Sequence, residues 1–373
     1  MSVIKILHAA DLHLDSPFEA LSAEKAAQRR REQRELLYAL SDLARTEEAD
    51  LVLLAGDLLD SDSIYSETAA GLSRCLASIP APVFISPGNH DYYTPFSPWE
   101  NTDFGANVHI FKKNRLECVK VSNLPVLVFG AAFTERRSAS LLEGISVQRQ
   151  EGLLNIMCIH CDPEGGSDSP YNPVTKEQLA GSGMDYVAMG HIHQGSELKK
   201  AGDTYYAWPG CPEGRGFDET GFRFVYIAQI DTETRLTTLS RKSIALRKYQ
   251  DIAVDVTDGE PLLKIHSALP EDTARDIYRI TLTGKTDAPP DIKKLYRELE
   301  GMFFALQLRD RTRFKENLWE KAGEDSLRGL FLKKMKLRLE AASSEEERLK
   351  IEKAARWGLA ALNNSEEVSG DDY

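Results

Sequence analysis

Five polar clusters, each directly after an apolar run, constrain the fold of this 373-residue chain more than any other feature. The runs VIKILHA, LVLLAG, APVFISPG, LLNIMCIH and YVAMGH have the length and composition of buried strands, as does a sixth run, LPVLVFGAA. The first five lead into DLHLD, GDLLD, GNHD, HCD and GHIH. In an α/β sheet, residues beyond the carboxyl ends of the strands line the ligand crevice, so clusters distant in sequence can meet there. The sequence therefore predicts a layered α/β or α+β fold with one polar site at a sheet edge.

The residue types in these clusters are those that bind divalent metals. Residues i and i+2 of an extended chain point to the same side, so the DxH and HxH spacings can each aim two ligands at one point. Imidazole, carboxylate and amide ligands suit manganese, iron or zinc. A carboxylate shared by two ligand sets is what a two-metal hydrolytic centre requires. The candidate residues are Asp11, His13, Asp57, Asn89, His90, His160, His191 and His193.

The motif order DLHLD, GDLLD, GNHD, a single histidine and GHIH resembles the calcineurin-like metallophosphoesterases. More narrowly, the chain is similar to the SbcD-type DNA repair nucleases and the related YhaO-type bacterial proteins, and the opening HAADLHLDSPF is especially like the latter. The resemblance covers roughly the first 240 residues. It implies a four-layer α/β/β/α sandwich with a small α/β capping domain and a C-terminal helical segment.

Carried over residue by residue, the resemblance implies two divalent ions, with Mn²⁺ favoured and Fe or Zn as alternatives. One ion would be held by Asp11, His13, Asp57 and His193. The other would be held by Asp57, Asn89, His160 and His191, so that Asp57 bridges the two. His90 would lie near the scissile phosphate without binding metal, where it stabilises the transition state or protonates the leaving oxygen. Asp91 would orient His90.

One position departs from the pattern that the resemblance implies. Many nucleases of this family have a histidine three residues after the bridging aspartate, whereas this chain has Asp60. If that histidine positions DNA or restricts endonuclease action, the nuclease behaviour of this protein differs. An acidic side chain near the crevice would also disfavour a polyanionic substrate.

The chain divides by pattern into four regions. We expect a catalytic domain over residues 1–245, a capping domain over 246–312, a helical partner-docking segment over 313–363 and a disordered tail over 364–373. In the helical segment, Leu327, Leu330, Phe331 and Met335 have the spacing of one apolar face. That face packs on the protein's own core or binds a partner, and the sequence favours neither reading.

Composition limits the classes of partner. The net charge of −12 argues against a protein that coats nucleic acid by bulk charge. Bound metals and local basic stretches can still supply positive potential: Arg309–Glu340 carries a local +4, and RKSIALRK forms a second basic stretch. The apolar run at the N-terminus is too short to span a membrane and lacks a signal-peptide cleavage site, so we expect a cytoplasmic protein without membrane contact.

These observations favour a metal-dependent phosphodiesterase. The resemblance implies a DNA exonuclease or endonuclease subunit that works with an SbcC-like coiled-coil ATPase, and it allows a homodimer. Because the same metal centre serves many substrates, a small-molecule or phosphoprotein phosphoesterase is the first alternative. A DNA-binding or assembly subunit is the second.

Overall fold

A computed structural model describes residues 2–61, 65–166, 168–286, 288–314 and 319–362. The predicted tail, residues 364–373, lies outside these ranges. The chain forms two compact units, Met1–Lys248 and Tyr249–Tyr373. Across the described ranges, no helix combines the length and apolar character needed to cross a membrane.

The first unit contains two sheets. Its strands are β1 (Val3–Ala9), β2 (Leu51–Leu54), β3 (Val83–Ile85), β4 (Val108–Ile110), β5 (Glu117–Lys120), β6 (Val126–Gly130), β7 (Leu154–His160), β8 (Tyr186–Gly190), β9 (Lys199–Ala201), β10 (Thr204–Ala207), β11 (Val225–Asp231) and β12 (Thr237–Lys242). Its helices are α1 (Ala23–Thr46), α2 (Ser66–Ala77), α3 (Pro98–Asn101) and α4 (Lys176–Gly181). All six apolar runs predicted before residue 200 contain one of these strands: β1, β2, β3, β6, β7 and β8.

The two sheets have the orders β12-β11-β1-β2-β3-β4 and β5-β6-β7-β8-β10-β9. The strands β1 to β4 are parallel, and so are β6, β7, β8 and β10. In the sequence, alternating polar and apolar residues in YYAWPG, FRFVYIAQI and TRLTTLSR, the runs around β10, β11 and β12, predict antiparallel strands. That holds for β11 and β12, but β10 pairs in parallel with β8 and antiparallel only with β9.

Alternate side chains of each central strand enter different cores. In β1, Ile4 and Ile6 belong to the core between the sheets, whereas Leu7 packs in the core that α1 and α2 cover. A third core on the outer face of the second sheet includes Met157 and Leu179 of α4. Burial on both faces explains why these strands read as continuous apolar runs. The layers are helix, sheet, sheet and helix, which confirms the predicted mixed α/β fold class.

The second unit begins with a three-stranded parallel sheet, β13-β14-β16. Its elements are β13 (Tyr249–Asp255), α5 (Pro261–Ala268), β14 (Ile277–Thr283), β15 (Lys285–Thr286), α6 (Ile292–Leu299), β16 (Ala305–Asp310), β17 (Arg313–Phe314), α7 (Leu327–Ala341) and α8 (Glu345–Leu362). The sequence from about Tyr249 to Arg309, with strand-like runs DIAVDV, RDIYRITLTG and MFFALQL separated by helical stretches, predicts a strand-helix-strand-helix-strand pattern, and the structure agrees. The functional roles given to residues 246–312 and 313–363 stay predictions.

The four residues that form one apolar face of α7 by their spacing differ in burial. Met335 is buried together with Leu332, while Leu327 and Leu330 are exposed. Phe331 packs against Gly358 of α8. Apolar residues occur around much of this helix, so their spacing did not identify the side that packs.

Candidate metal centre

Strained backbone concentrates at the polar clusters. Asp11, His13 and Asp57 have φ values of 53°, 45° and 50°, and His191 has 102°. Residues with a Cβ rarely adopt a positive backbone φ, and such strain persists only where surrounding contacts enforce it. The amide of Asp11 donates to the carbonyl of Gly56 at 3.0 Å, and that of His13 donates to the carbonyl of Asp57 at 3.0 Å. These bonds tie the loops after β1 and β2 side by side.

Side chains from both sheets converge at the carboxyl ends of the parallel strands. Among the residues that the structure describes, potential ligand atoms lie within 4.8 Å of one another in three groups: Asp11, His13 and His193; Asp11, Asp57 and His160; His13, Asp57 and His90. Asn89, after β3, places its Oδ1 3.0 Å from His160 Nε2. The first two groups share Asp11, and Asp57 appears in two of the three. The arrangement therefore suits ions that share a carboxylate.

The hydrogen bonds of three histidines define which ring nitrogen faces the centre. His160 Nδ1 lies 2.9 Å from the carbonyl of Ala55, and a carbonyl only accepts, so Nδ1 carries the proton. His13 Nδ1 lies 3.0 Å from the Asp60 carboxylate. His193 Nδ1 lies 2.7 Å from the Glu219 carboxylate. All three rings thus turn Nε2 toward the centre, and this nitrogen is the one through which each imidazole would bind metal.

The short distance between two inward nitrogens indicates that the site fits a cation. His13 Nε2 and His193 Nε2 are 3.2 Å apart, and the other nitrogen of each ring lies beside a carboxylate. Two imidazole nitrogens at this distance need a proton or a metal cation between them. Two buried carboxylates, Asp11 and Asp57, stand beside them. A donor set of imidazole nitrogens and carboxylate oxygens fits divalent transition metals.

The charges in the centre favour an ionised Asp57. Burial alone would raise its pKa, but His160 and His13 hold that pKa far below its usual range. Burial disfavours protonated His160, yet the Asp57 carboxylate raises its pKa to about 9. Burial raises the pKa of Asp11 despite the nearby histidines. The carboxylates therefore need positive charge beside them, and the imidazoles supply it when no ion does.

His191 and Asn89, predicted as ligands of the second ion, approach His160. The His191 ring centroid lies 5.2 Å from that of His160 and 5.0 Å from that of Tyr171. Its backbone N–H donates to both Asp11 carboxylate oxygens at 3.1 Å. Burial, helped by His160, lowers the His191 pKa to about 4, which keeps the ring neutral as a ligand must be.

His90 is exposed at the centre. Its Nδ1 lies 3.2 Å from the carbonyl of Asp60, and its ring meets that of His13 edge to face at 4.8 Å between centroids. The grouping with His13 and Asp57 places a His90 nitrogen within ligand reach. The geometry therefore permits two roles for His90: acting on the phosphate without binding metal, as predicted, or binding a metal ion. The predicted role stays a prediction.

The carboxyl group of Asp91, to which the resemblance assigns the role of orienting His90, contacts backbone amides in this structure. Its Oδ1 accepts from the amide of Gly88 at 2.6 Å, and its Oδ2 accepts from those of Leu58 and Leu59 at 2.8 and 3.2 Å. The His90 ring is instead held by the Asp60 carbonyl. Burial and the Asp57 charge raise the pKa of Asp91 to about 7. In this structure the carboxyl group joins the GNHD loop to the loop after β2.

Asp60 is engaged in contacts that the sequence did not reveal. Its Oδ1 lies 3.0 Å from His13 Nδ1 and 3.1 Å from Arg215 Nη1. A carboxylate paired with arginine and histidine is not a free negative charge. The expected repulsion of a polyanionic substrate by Asp60 therefore loses its physical basis.

Sequence reasoning missed Arg215, Glu219 and Arg223, which precede β11. Arg215 donates to Glu219, and Arg223 Nη1 donates to the carbonyl of His193 at 2.8 Å. They lie in CPEGRGFDETGFR, which has no metal-ligand spacing. The charged residues between its glycines are the one feature of the sequence that could have drawn attention to this segment. By contrast, the position of His8 within the first apolar run predicts a buried structural residue, and it is buried between Tyr186 and the carbonyl of Met189.

Comparisons with known proteins agree with this geometry. "Uncharacterized metallophosphoesterase YhaO" of Bacillus subtilis is 29% identical over 283 residues, covering 72% of this chain and 67% of that protein. "DNA double-strand break repair protein Mre11" of Saccharolobus solfataricus is 24% identical over 271 residues, covering 68% and 67%. The SbcD component of the "Nuclease SbcCD" of Bacillus subtilis is 24% identical over 307 residues, covering 71% and 73%.

The family model "Calcineurin-like phosphoesterase" matches residues 4–195. This span is just over half of the chain, and it contains every predicted metal ligand together with His90 and Asp91. The resemblance inferred from the motif order is thereby confirmed, and the chain belongs to the calcineurin-like phosphoesterase family.

Proposed function

We propose that this protein is a metal-dependent phosphodiesterase that cleaves DNA as the nuclease subunit of an SbcCD-like complex. The observation that carries the proposal is the convergence of Asp11, His13 and His193 with Asp57 and His160 at the carboxyl ends of two sheets. The first ion would be held by Asp11, His13, Asp57 and His193. The second would be held by Asp57, Asn89, His160 and His191. We favour Mn²⁺ because imidazole, carboxylate and amide ligands suit it.

When bound, the ions supply Lewis acidity that activates water and neutralises charge on the phosphate. The chain's own residues orient the ligands and move protons. Because the Asp60 carbonyl only accepts, His90 Nδ1 carries a proton. A proton for the leaving oxygen would therefore come from Nε2 of the imidazolium form of His90. Its exposure leaves that edge open to a substrate.

The relatives support DNA as the substrate, since two of them are named for double-strand break repair and for a nuclease. A local basic surface adds support: α7 carries five lysine or arginine residues over Leu327–Ala341. Such residues neutralise backbone phosphates and release counterions. The capping domain, residues 246–312, would contribute to this recognition.

Helix α7 also supports a partner. Leu327, Leu330 and Leu337 are 69, 55 and 61% exposed, and positions 327, 330 and 337 fall on one side of an α-helix. Exposed apolar residues grouped in this way mark interaction sites. An SbcC-like coiled-coil ATPase, which would present helices, is the partner that we propose for residues 313–363.

The test is to incubate purified protein and Mn²⁺ with labelled duplex and single-stranded DNA, with and without the ATPase. Asp57→Ala should abolish metal-dependent cleavage, because it removes the proposed shared carboxylate. Asp203→Ala, at an exposed aspartate between β9 and β10, is the control and should cleave normally. Turnover of bis-p-nitrophenyl phosphate without any cleavage of DNA would instead indicate a small-molecule phosphoesterase. No hydrolysis of either substrate would refute the proposal.

A further inference from the structure

Arg215 lies between two carboxylates near the centre. Its Nη1 donates to Asp60 Oδ1 at 3.1 Å, and its Nη2 donates to Glu219 Oε1 at 2.8 Å. Its Nε lies 3.3 Å from Glu219 Oε2, so the guanidinium grips Glu219 with two nitrogens. The planar fork of arginine allows this simultaneous contact with two acids, which a lysine ammonium could not reproduce.

Each of these carboxylates in turn contacts a proposed metal ligand. Asp60 Oδ1 lies 3.0 Å from His13 Nδ1, and Glu219 Oε1 lies 2.7 Å from His193 Nδ1, which is also 3.1 Å from Arg215 Nη2. The contacts therefore form a continuous chain from one imidazole to the other through Arg215. His13 follows β1 and His193 follows β8, so the chain joins loops from different sheets.

The surroundings keep this network in one geometry. Side-chain exposure is 4% for Glu219, 19% for Arg215 and 24% for Asp60. The backbone amide of Arg215 also donates to Glu219 Oε2 at 2.8 Å. Arg223 donates to the carbonyls of both Glu219 and His193. Without the guanidinium, two partly desolvated carboxylates would lose the positive charge between them.

The other proposed site is held differently. The Nδ1–H of His160 is fixed at 2.9 Å by the backbone carbonyl of Ala55, a buried residue directly after β2. No side-chain charge is needed for that bond. A substitution in the arginine network should therefore affect one ion and leave the other in place.

We propose that Arg215 is a positioning residue for the ion held by His13 and His193, acting through Asp60 and Glu219 and through its own contact with His193 to fix the orientation of both rings. This rests on the metal assignment under the proposed function. Partners that orient a ligating imidazole typically change metal affinity by about 10- to 100-fold when removed. The expected signature is selective weakening of one of two sites.

The experiment compares wild type, Arg215→Gln and Arg235→Gln by Mn²⁺ titration calorimetry and by metal analysis after dialysis. Arg235 is a matched control, because it is 24% exposed and pairs with the buried Asp185 on another part of the same unit. We expect Arg215→Gln to lose about 10- to 100-fold affinity at one site and to retain one ion at a Mn²⁺ level that saturates the other. Arg235→Gln should retain two.

A second readout distinguishes positioning from general damage. Imidazole ¹⁵N signals of the metal-free protein should differ between wild type and Arg215→Gln for His13 and His193, whose rings lose a shared support, and should be unchanged for His160. Arg215→Lys should behave like Arg215→Gln, because it restores charge without the fork. Unchanged affinity at both sites, or equal loss at both, would overturn the inference. A wild-type protein that binds no metal would instead refute the metal centre itself.

Discussion

The close approach of Gly88 to Asp57 allows a quantitative test of the centre. A Cβ added at Gly88 would lie 2.2 Å from Asp57 Oδ1 and 2.7 Å from its backbone nitrogen. Ordinary contact begins at 3.4 Å, so the carboxylate oxygen would have to retreat by about 1.2 Å. Gly88→Ala therefore displaces the proposed bridging ligand without changing any ligand.

The expected loss of turnover rate follows from the small displacement that a catalytic site tolerates. Productive geometry must be kept within about 0.5 Å, and a misplacement of about 1 Å can cost about 100-fold in rate. That factor corresponds to about 2.7 kcal/mol of activation free energy. We expect Gly88→Ala to lower turnover of bis-p-nitrophenyl phosphate by about 100-fold in Mn²⁺ and to weaken metal retention.

Gly71→Ala is the matched control. Gly71 lies in α2, and a Cβ there would meet nothing within 4 Å. Alanine is favoured over glycine inside a helix by roughly 0.5–1 kcal/mol, so this variant should be fully active and slightly more stable. Wild-type turnover and two bound ions in Gly88→Ala would refute the argument that Asp57 is placed by this contact.

Three further predictions concern separate parts of the molecule. His90→Ala should keep its metal content while turnover falls by about 100-fold or more, as for loss of a proton donor; metal loss measured by mass spectrometry would identify a ligand instead. Glu32→Gln should lower the free energy of unfolding by about 2–3 kcal/mol at pH 7 in urea titrations, since Glu32 binds Arg29 and Arg247 in a largely buried cluster. Although burial opposes it, these arginines lower the Glu32 pKa to about 2 from an ordinary 4.5. The ionised carboxylate thus stabilises the folded state above pH 4.5, and this stabilisation is lost as the pH falls toward 2. The difference in unfolding free energy between wild type and variant should therefore narrow from pH 4.5 to pH 2. A difference that stays constant over this range would contradict the prediction. Leu330→Glu on α7 should abolish ATPase pull-down without changing hydrolysis of the small diester, and retained association would place the docking surface elsewhere.

The sequence predicted the central strands and the meeting of the polar clusters for the same physical reason. Strands buried on both faces leave uninterrupted apolar runs, and parallel strands bring their carboxyl ends to one edge. Asp11, Asp57 and His160 could therefore be grouped before their distances were known. Short strands such as β4 and β9, with three residues each, carry too little apolar pattern to be recognised.

Contacts made by loops without periodic spacing could not be predicted. Glu219 reaches His193 from a glycine-rich segment whose conformation depends on contacts distant in sequence. The resemblance implied that Asp91 orients His90, its neighbour in sequence, but the backbone turns the Asp91 carboxyl group inward toward Gly88 and Leu58. Adjacency along a turn does not determine which way two side chains point.

The position of β11 determines which fragments of this domain can fold independently. β11 lies between β1 and β12, with Val3 paired to Asp231 and His8 to Tyr226. A nascent chain or a fragment that stops at residue 195, the end of the family match, would leave the almost fully buried β1 as an open edge. Unpaired apolar edges recruit other chains, so such a piece should aggregate. The smallest independently folding catalytic fragment therefore extends beyond β11, and pairing across more than 200 residues should make its folding slow.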